Sequence, residues 1–117
     1  WDGSRVAARA LADALMFVDD QTQVTVLTAP DEKQLSQQDL GQALVLSLKK
    51  RGLRAAAQNV SLDDRPVAVA LQETALNAGA NMLVMGAFGH SRIRDFILGG
   101  ATKGVLADLR LPVLLSH

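Results

Sequence analysis

Apolar positions along the 117-residue chain switch between two spacings. Val6, Ala7, Ala10, Leu11, Ala14 and Val18 recur at helical spacing, so residues 5 to about 18 read as an amphipathic helix that Asp19-Asp20 ends. Asp2 and Ser4, just ahead of it, are both helix-capping types. Residues 23–29 (QVTVLTA) are rich in β-branched side chains and read as a strand. After the polar loop Pro30-Asp31-Glu32-Lys33, Leu40, Ala43, Leu44 and Leu48 mark a helix over roughly 36–50. Lys49-Lys50-Arg51 followed by Gly52 is a helix stop, with cations in the last turn and glycine just beyond it.

The alternation continues to the end of the chain. Residues 53–60 predict a second strand, weakened by three consecutive alanines. Ser61-Leu62-Asp63-Asp64-Arg65-Pro66 supplies cap residues and an early-turn proline for a helix striped by Val67, Ala70, Leu71, Thr74, Ala75 and Ala78, which Gly79 ends. Met82-Leu83-Val84-Met85 is apolar without alternation, as a central parallel strand is. Thr102, Val105, Leu106 and Leu109 give a short helix over 102–109, weakened by Gly104, and residues 112–116 (PVLLS) a last strand.

The resulting order, α-β-α-β-α-β-loop-α-β, predicts one α/β domain over residues 1–117, a doubly wound parallel sheet with helices on both faces and right-handed connections. Such a domain begins with a strand, and Trp1-Asp2-Gly3-Ser4 reads as the strand end and turn that follow a first strand missing from this chain. First strands of doubly wound sheets commonly lie in the centre, so its absence splits the sheet. The expectation is a piece of a longer polypeptide.

Composition narrows the chemistry. A hydrophobic content of 49% and a charged content of 21% belong to a globular chain long enough to bury a core. Zero formal charge gives no basic footprint for nucleic acid, and 3% aromatics argues against a stacking platform. There is no apolar run long enough to span a membrane. The absence of cysteine removes thiol catalysis and thiolate metal sites, and favours a reducing, cytoplasmic setting.

The candidate chemistry centres on Gly86-Ala87-Phe88-Gly89 and, nine residues on, Gly99-Gly100-Ala101-Thr102. Strand, glycine loop and helix N-terminus present backbone N–H groups to an anion, and Thr102 can add a hydroxyl donor. The alternative is that the glycines serve turns and tight packing only. The pattern is neither a Walker loop, which needs Gly-Lys-Ser/Thr, nor a compact GxGxxG. Asp2 lies where parallel-sheet ligands bind and can accept hydrogen bonds from a ribose, or simply cap the first helix. Arg92 can screen phosphate charge, Arg94 reads as neutralised by Asp95, and His90 and the terminal His117 have no evident catalytic partner. No metal-ligand spacing and no nucleophile elbow is present.

These residues resemble the universal stress protein family. Gly86, Gly89 and Gly99 match its Gly-x2-Gly-x9-Gly signature, the opening Trp1-Asp2-Gly3-Ser4 looks like the turn after its first strand, and Leu111-Pro112-Val113-Leu114-Leu115 looks like its last strand. The resemblance covers nearly the whole chain. It implies a five-stranded parallel sheet of order 3-2-1-4-5 with the missing strand at the centre. It also implies ATP across the strand ends, with Mg²⁺ as an optional companion. Asp2 is then placed near the ribose, Thr28 or Ala29 along the adenine, and Met85, Gly86 and Gly89 at ribose and phosphates. Gly99, Gly100, Ala101 and Thr102 hold the phosphate tail. The family carries Ser or Thr directly after the third glycine, and Gly100 stands there instead, which removes a hydroxyl. The opening and the Ser-His ending resemble the C-terminal domain of tandem members, and the family implies pairing through Val113–Ser116 with a second copy or a sister domain.

Three functions compete. The first is an adenine-nucleotide-binding stress-response or regulatory domain working through ligand-dependent association, with at most slow ATP hydrolysis. The second is a scaffold or dimerisation module that uses the fold without nucleotide. The third, a nucleotidyl transferase, needs a glycine-rich loop after the first strand, and Asp2-Gly3-Ser4-Arg5 is too glycine-poor for it.

Overall fold

The computed structural model describes residues 1–29 and 37–88 and 100–117, with the side chains of 37–39 left aside. Helix α1 (Arg5–Ala14) opens on Ser4, whose Oγ accepts from the Ala7 N–H at 3.2 Å. Asp2 therefore is not the cap: its Oδ1 accepts from the Ser4 N–H at 2.9 Å and holds the capping residue in place. The helix is shorter than its apolar spacing predicts. It tightens into a 3₁₀ turn (Leu15–Phe17) and leaves helical geometry at Val18, because Asp19 folds its own turn with Gln21 N–H and the Thr22 hydroxyl.

Strand β1 (Gln23–Thr28) pairs in parallel with β2 (Arg54–Asn59), from Gln23 opposite Arg54 to Thr28 opposite Asn59. Between them runs α2 (Gln37–Lys50). Its end is a Schellman motif: Gly52 N–H reaches Lys49 C=O at 2.9 Å, Leu53 N–H reaches Leu48 C=O at 3.2 Å, and Gly52 has φ +83°. Helix α3 (Val67–Asn77) ends the same way, with Gly79 at φ +78° bonded to Leu76 and Ala80 bonded to Ala75. Both glycine stops are legible in the sequence for this reason.

Strand β3 (Leu83–Gly86) pairs in parallel with β4 (Val113–Ser116), and α4 (Ala101–Ala107) lies between them in the chain. The fold is thus α/β with parallel strands and helices. Its described strands form two sheets, β2-β1 and β3-β4, with no hydrogen-bonded pairing between β1 and β3.

Two apolar clusters define two faces. Val26, Val45, Leu48 and Ala55 pack with Trp1, Leu11, Leu15 and Val24 on the α1 and α2 side. Leu27, Ala70, Ala75, Leu83, Val105 and Leu111 pack with Leu71 and Met85 on the α3 and α4 side. Alternate residues of β1 enter opposite clusters, as the two-residue period of a strand requires. Gly104, which weakens α4 as a helix former, is explained by packing: a Cβ there would stand 2.6 Å from Ala68 Cβ on α3.

Candidate functional site

A cavity of about 1690 Å³ lies between the two sheets and extends to the carboxyl ends of β1 and β3. Asp2, Ala29, Met85, Gly86, Gly100, Ala101 and Thr102 all line it. Residues separated by some 70 to 100 positions in the chain are gathered there because every described strand runs the same way, so the turns that follow β1 and β3 meet at one end of the molecule. Of the described candidates, Thr28 stands apart from the cavity lining. It is buried, and its Oγ1 lies 2.9 Å from where a Cβ on Gly41 would be, so its hydroxyl faces α2. Gly89, Gly99 and the spacer holding His90, Arg92 and Arg94 lie outside the described residues.

The glycines that are described do different work. Gly86 keeps a negative φ, since the positive-φ glycines among the described residues are Gly3, Gly52 and Gly79. A Cβ on Gly86 would stand 2.7 Å from both Ala7 N and Val6 C. Its first job is therefore to let the opening turn of α1 cross the end of β3, which brings Asp2 and Ser4 to the cavity. Among the described residues of this loop Phe88 is left-handed, at φ +53°. Gly100 is the N-cap of α4, with φ −50° and no side-chain cap bond. The orphan first-turn N–H groups of α4 accordingly have no hydroxyl competing for them.

Thr102 has a double position. It is buried, it lines the cavity, and its Oγ1 accepts from the Phe88 N–H at 3.4 Å. A hydroxyl that accepts one bond still has its own proton to donate. Thr102 therefore ties the turn after β3 to the start of α4 while keeping a donor for a ligand. Two further residues line the cavity, Lys103, which the sequence reading missed, and His117, which it set aside. Lys103 lines it from the first turn of α4 and is exposed, and His117 lines it beyond β4, its carbonyl accepting from Arg9 Nη1 at 3.2 Å. The signal for Lys103 was available: a cation one residue past the threonine, at a helix start that the glycines already mark.

Among the described residues no group of three His, Cys, Asp or Glu gathers to hold a metal, and no helix is long and apolar enough to cross a membrane. At the carboxyl ends of the strands the site thus brings the carboxylate of Asp2 together with a set of backbone and hydroxyl donors and Lys103, in a cavity with largely apolar walls. That arrangement suits a ligand with an anionic end and a hydrogen-bonding, partly apolar body.

No curated protein matches the chain in sequence. Solved structures share its fold, two of them being the following. One is a universal stress protein crystallised in complex with cAMP, with 22% identity, a TM-score of 0.67, and coverage of 100% of this chain and 92% of that one. The other is the hypothetical protein MJ0577, whose biochemical function was assigned from its structure, with 19% identity, a TM-score of 0.62, and coverage of 98% and 90%. The sequence model of the universal stress protein family matches residues 1–117. With Gly86, the first glycine of the signature, lining the cavity and its whole length matched, the chain belongs to the universal stress protein family.

Proposed function

We propose that this chain is an adenine-nucleotide-binding regulatory domain that takes ATP at the mouth of the inter-sheet cavity. The observation that carries the reading is the convergence of Asp2, Ala29, Met85, Gly86, Gly100, Ala101 and Thr102 on that one cavity. Asp2, already oriented by the Ser4 N–H, accepts from ribose hydroxyls. Ala29 and Met85 offer apolar surface to the base and ribose. The N–H groups at the start of α4, the Thr102 hydroxyl and Lys103 meet the phosphates. Gly89 and Gly99 complete the phosphate loop in this reading. Mg²⁺ accompanies the phosphates instead of sitting in a protein cage, since the described residues offer no acidic cluster.

The family neighbour in complex with cAMP supports an adenine nucleotide as the ligand class. ATP is preferred here because its ribose presents two hydroxyls to Asp2, whereas a 3′,5′-cyclic phosphate leaves one. The reading assigns no general base and takes hydrolysis to be at most slow. The reading extends to a cytoplasmic protein, the C-terminal half of a tandem chain, in which β4 (Val113–Ser116) pairs with a sister domain or a second copy under nucleotide control. Thr28 contributes through its backbone at the end of β1, not its hydroxyl.

Calorimetric titration of the full polypeptide with ATP and with cAMP tests this. Saturable heat with ATP, stronger than with cAMP and diminished in Asp2→Asn, is the expected result. No heat at millimolar ATP overturns it. The second reading, a scaffold without nucleotide, is favoured by Gly100, which withholds the side-chain hydroxyl that family members place against the phosphates. It requires the same association by sedimentation with and without ATP.

A further inference from the structure

Phe88 is held against its own backbone preference. The non-glycine residues with positive φ among those described are Asp63, Asp64 and Phe88. Aspartate tolerates the left-handed region, whereas a bulky aromatic is sterically disfavoured there. Such a conformation persists only where its surroundings over-determine it. Here they do so from three sides. Ala87 N–H donates to Ser116 C=O at 2.7 Å, which ties the loop to β4, and Phe88 N–H donates to Thr102 Oγ1 at 3.4 Å, which ties it to α4. Gly86, just before, is pressed against the first turn of α1.

The ring itself does nothing for the fold. It is 59% exposed and belongs to neither apolar cluster, yet it lines the cavity. A strained, tethered loop that presents an aromatic face to a cavity is a contact surface for a ligand. The position of the ring selects which part of the ligand. Thr102, to which Phe88 is bonded, stands in the first turn of α4, where the phosphates are placed in the nucleotide reading. Ala29, placed along the base, follows β1 in the other sheet. Phe88 therefore stands at the phosphate end of a mononucleotide, away from its base. Leu106, one helical turn past Thr102 on the same side of α4, lines the same cavity and is 46% exposed. The exposed Lys103 lies between them in the chain.

Apolar surface and a cation beyond a phosphate site suit a second planar group joined through those phosphates. Every base has a face that stacks on an aromatic ring. We propose that Phe88 is the stacking platform of a second subsite, which takes the distal base of a dinucleoside polyphosphate whose first nucleoside lies at Asp2, Ala29 and Met85. The inference rests on the nucleotide reading and extends its ligand class from one base to two.

The test is calorimetric titration of the full polypeptide with ATP and with diadenosine tetraphosphate, both with Mg²⁺. The two carry similar charge, so Lys103 and the start of α4 favour neither on that ground. Diadenosine tetraphosphate is expected to bind about tenfold tighter than ATP, through the added stacking. Phe88→Gly suits the left-handed backbone, so its midpoint of thermal unfolding should be unchanged or raised. It should abolish the preference for the dinucleotide while changing ATP affinity less than about twofold, and Phe88→Trp should keep the preference. ATP binding with no preference for the dinucleotide overturns the inference alone. So does an equal loss of both affinities in Phe88→Gly, which would assign the ring to the first nucleotide, or a lowered midpoint, which would assign it to the fold. If neither nucleotide binds, the nucleotide reading falls and this inference with it.

Discussion

The two sheets are held by different forces. Around β1 and β2 the interior is mostly apolar: Val26, Val45, Leu48 and Ala55 fill the space under α2, Leu48 is 1% exposed, and Thr28 is the buried polar residue of β1. Around β3 and β4 polar links span the elements. Gln72 of α3, also 1% exposed, donates to Asp108 C=O and accepts from Arg110 N–H, both at 2.8 Å. Ser116 donates to Asp13 across to α1, and Glu73 is shared by Arg65 and Arg110. The difference teaches that the half carrying most of the site is positioned by directional bonds, which fix angles, while the other half supplies bulk. A loop start such as the one after α4 has to be aimed, and an amide clamp does this better than an aliphatic contact.

Substitutions can break this comparison. Leu48→Ala is expected to cost about 3–4 kcal/mol by leaving a hole under α2, read as a lowered denaturation midpoint with an unchanged slope. Gln72→Leu keeps the volume but removes the buried amide's bonds to the part-buried Asp108 carbonyl and Arg110 N–H, for about 1–2 kcal/mol. If Gln72→Leu proves neutral, the clamp is decoration and the contrast between the halves fails. Gly104→Ala sharpens the point in the opposite direction to propensity: alanine favours an isolated helix by about 1 kcal/mol, yet contact with Ala68 should make the protein less stable by about 1–2 kcal/mol. The smallest effect on stability is expected from Gly100→Ser, a few tenths of a kcal/mol at most, since φ −50° suits serine and capping differs little between the two. In binding it should be visible, with ATP held about tenfold tighter by calorimetry if the phosphates lie at the start of α4. An unchanged affinity would move the phosphates elsewhere.

What the sequence shows of the fold is what local rules decide. Ser4, Gly52 and Gly79 end helices through bonds within a few residues, and these ends are where the residue types place them. The switch of hydrophobic period places all four strands and the helices. Gly86 and Gly104 were different. Each looks like a loop or a weakness until the distant Ala7 or Ala68 is seen against it, because a close approach between elements leaves no mark on its own neighbourhood. Gln72 was invisible for the related reason that a polar residue within an apolar stripe gives no sign of its partners 36 and 38 positions on. Among the site candidates the glycine spacing and Asp2 were legible as family signals, and Asp2, Gly86 and Gly100 share one cavity, whereas Thr28 could be told from Ala29 only by its direction, a matter of which side of β1 faces α2.

Trp1 packs beside Val26 and Leu11 and also forms part of the cavity wall. It is the chain's sole tryptophan, and there is no tyrosine. Ultraviolet emission from this protein therefore comes from a single indole bordering the cavity between the sheets. A ligand in that cavity changes the polarity around it, so the unlabelled protein carries its own optical gauge of occupancy.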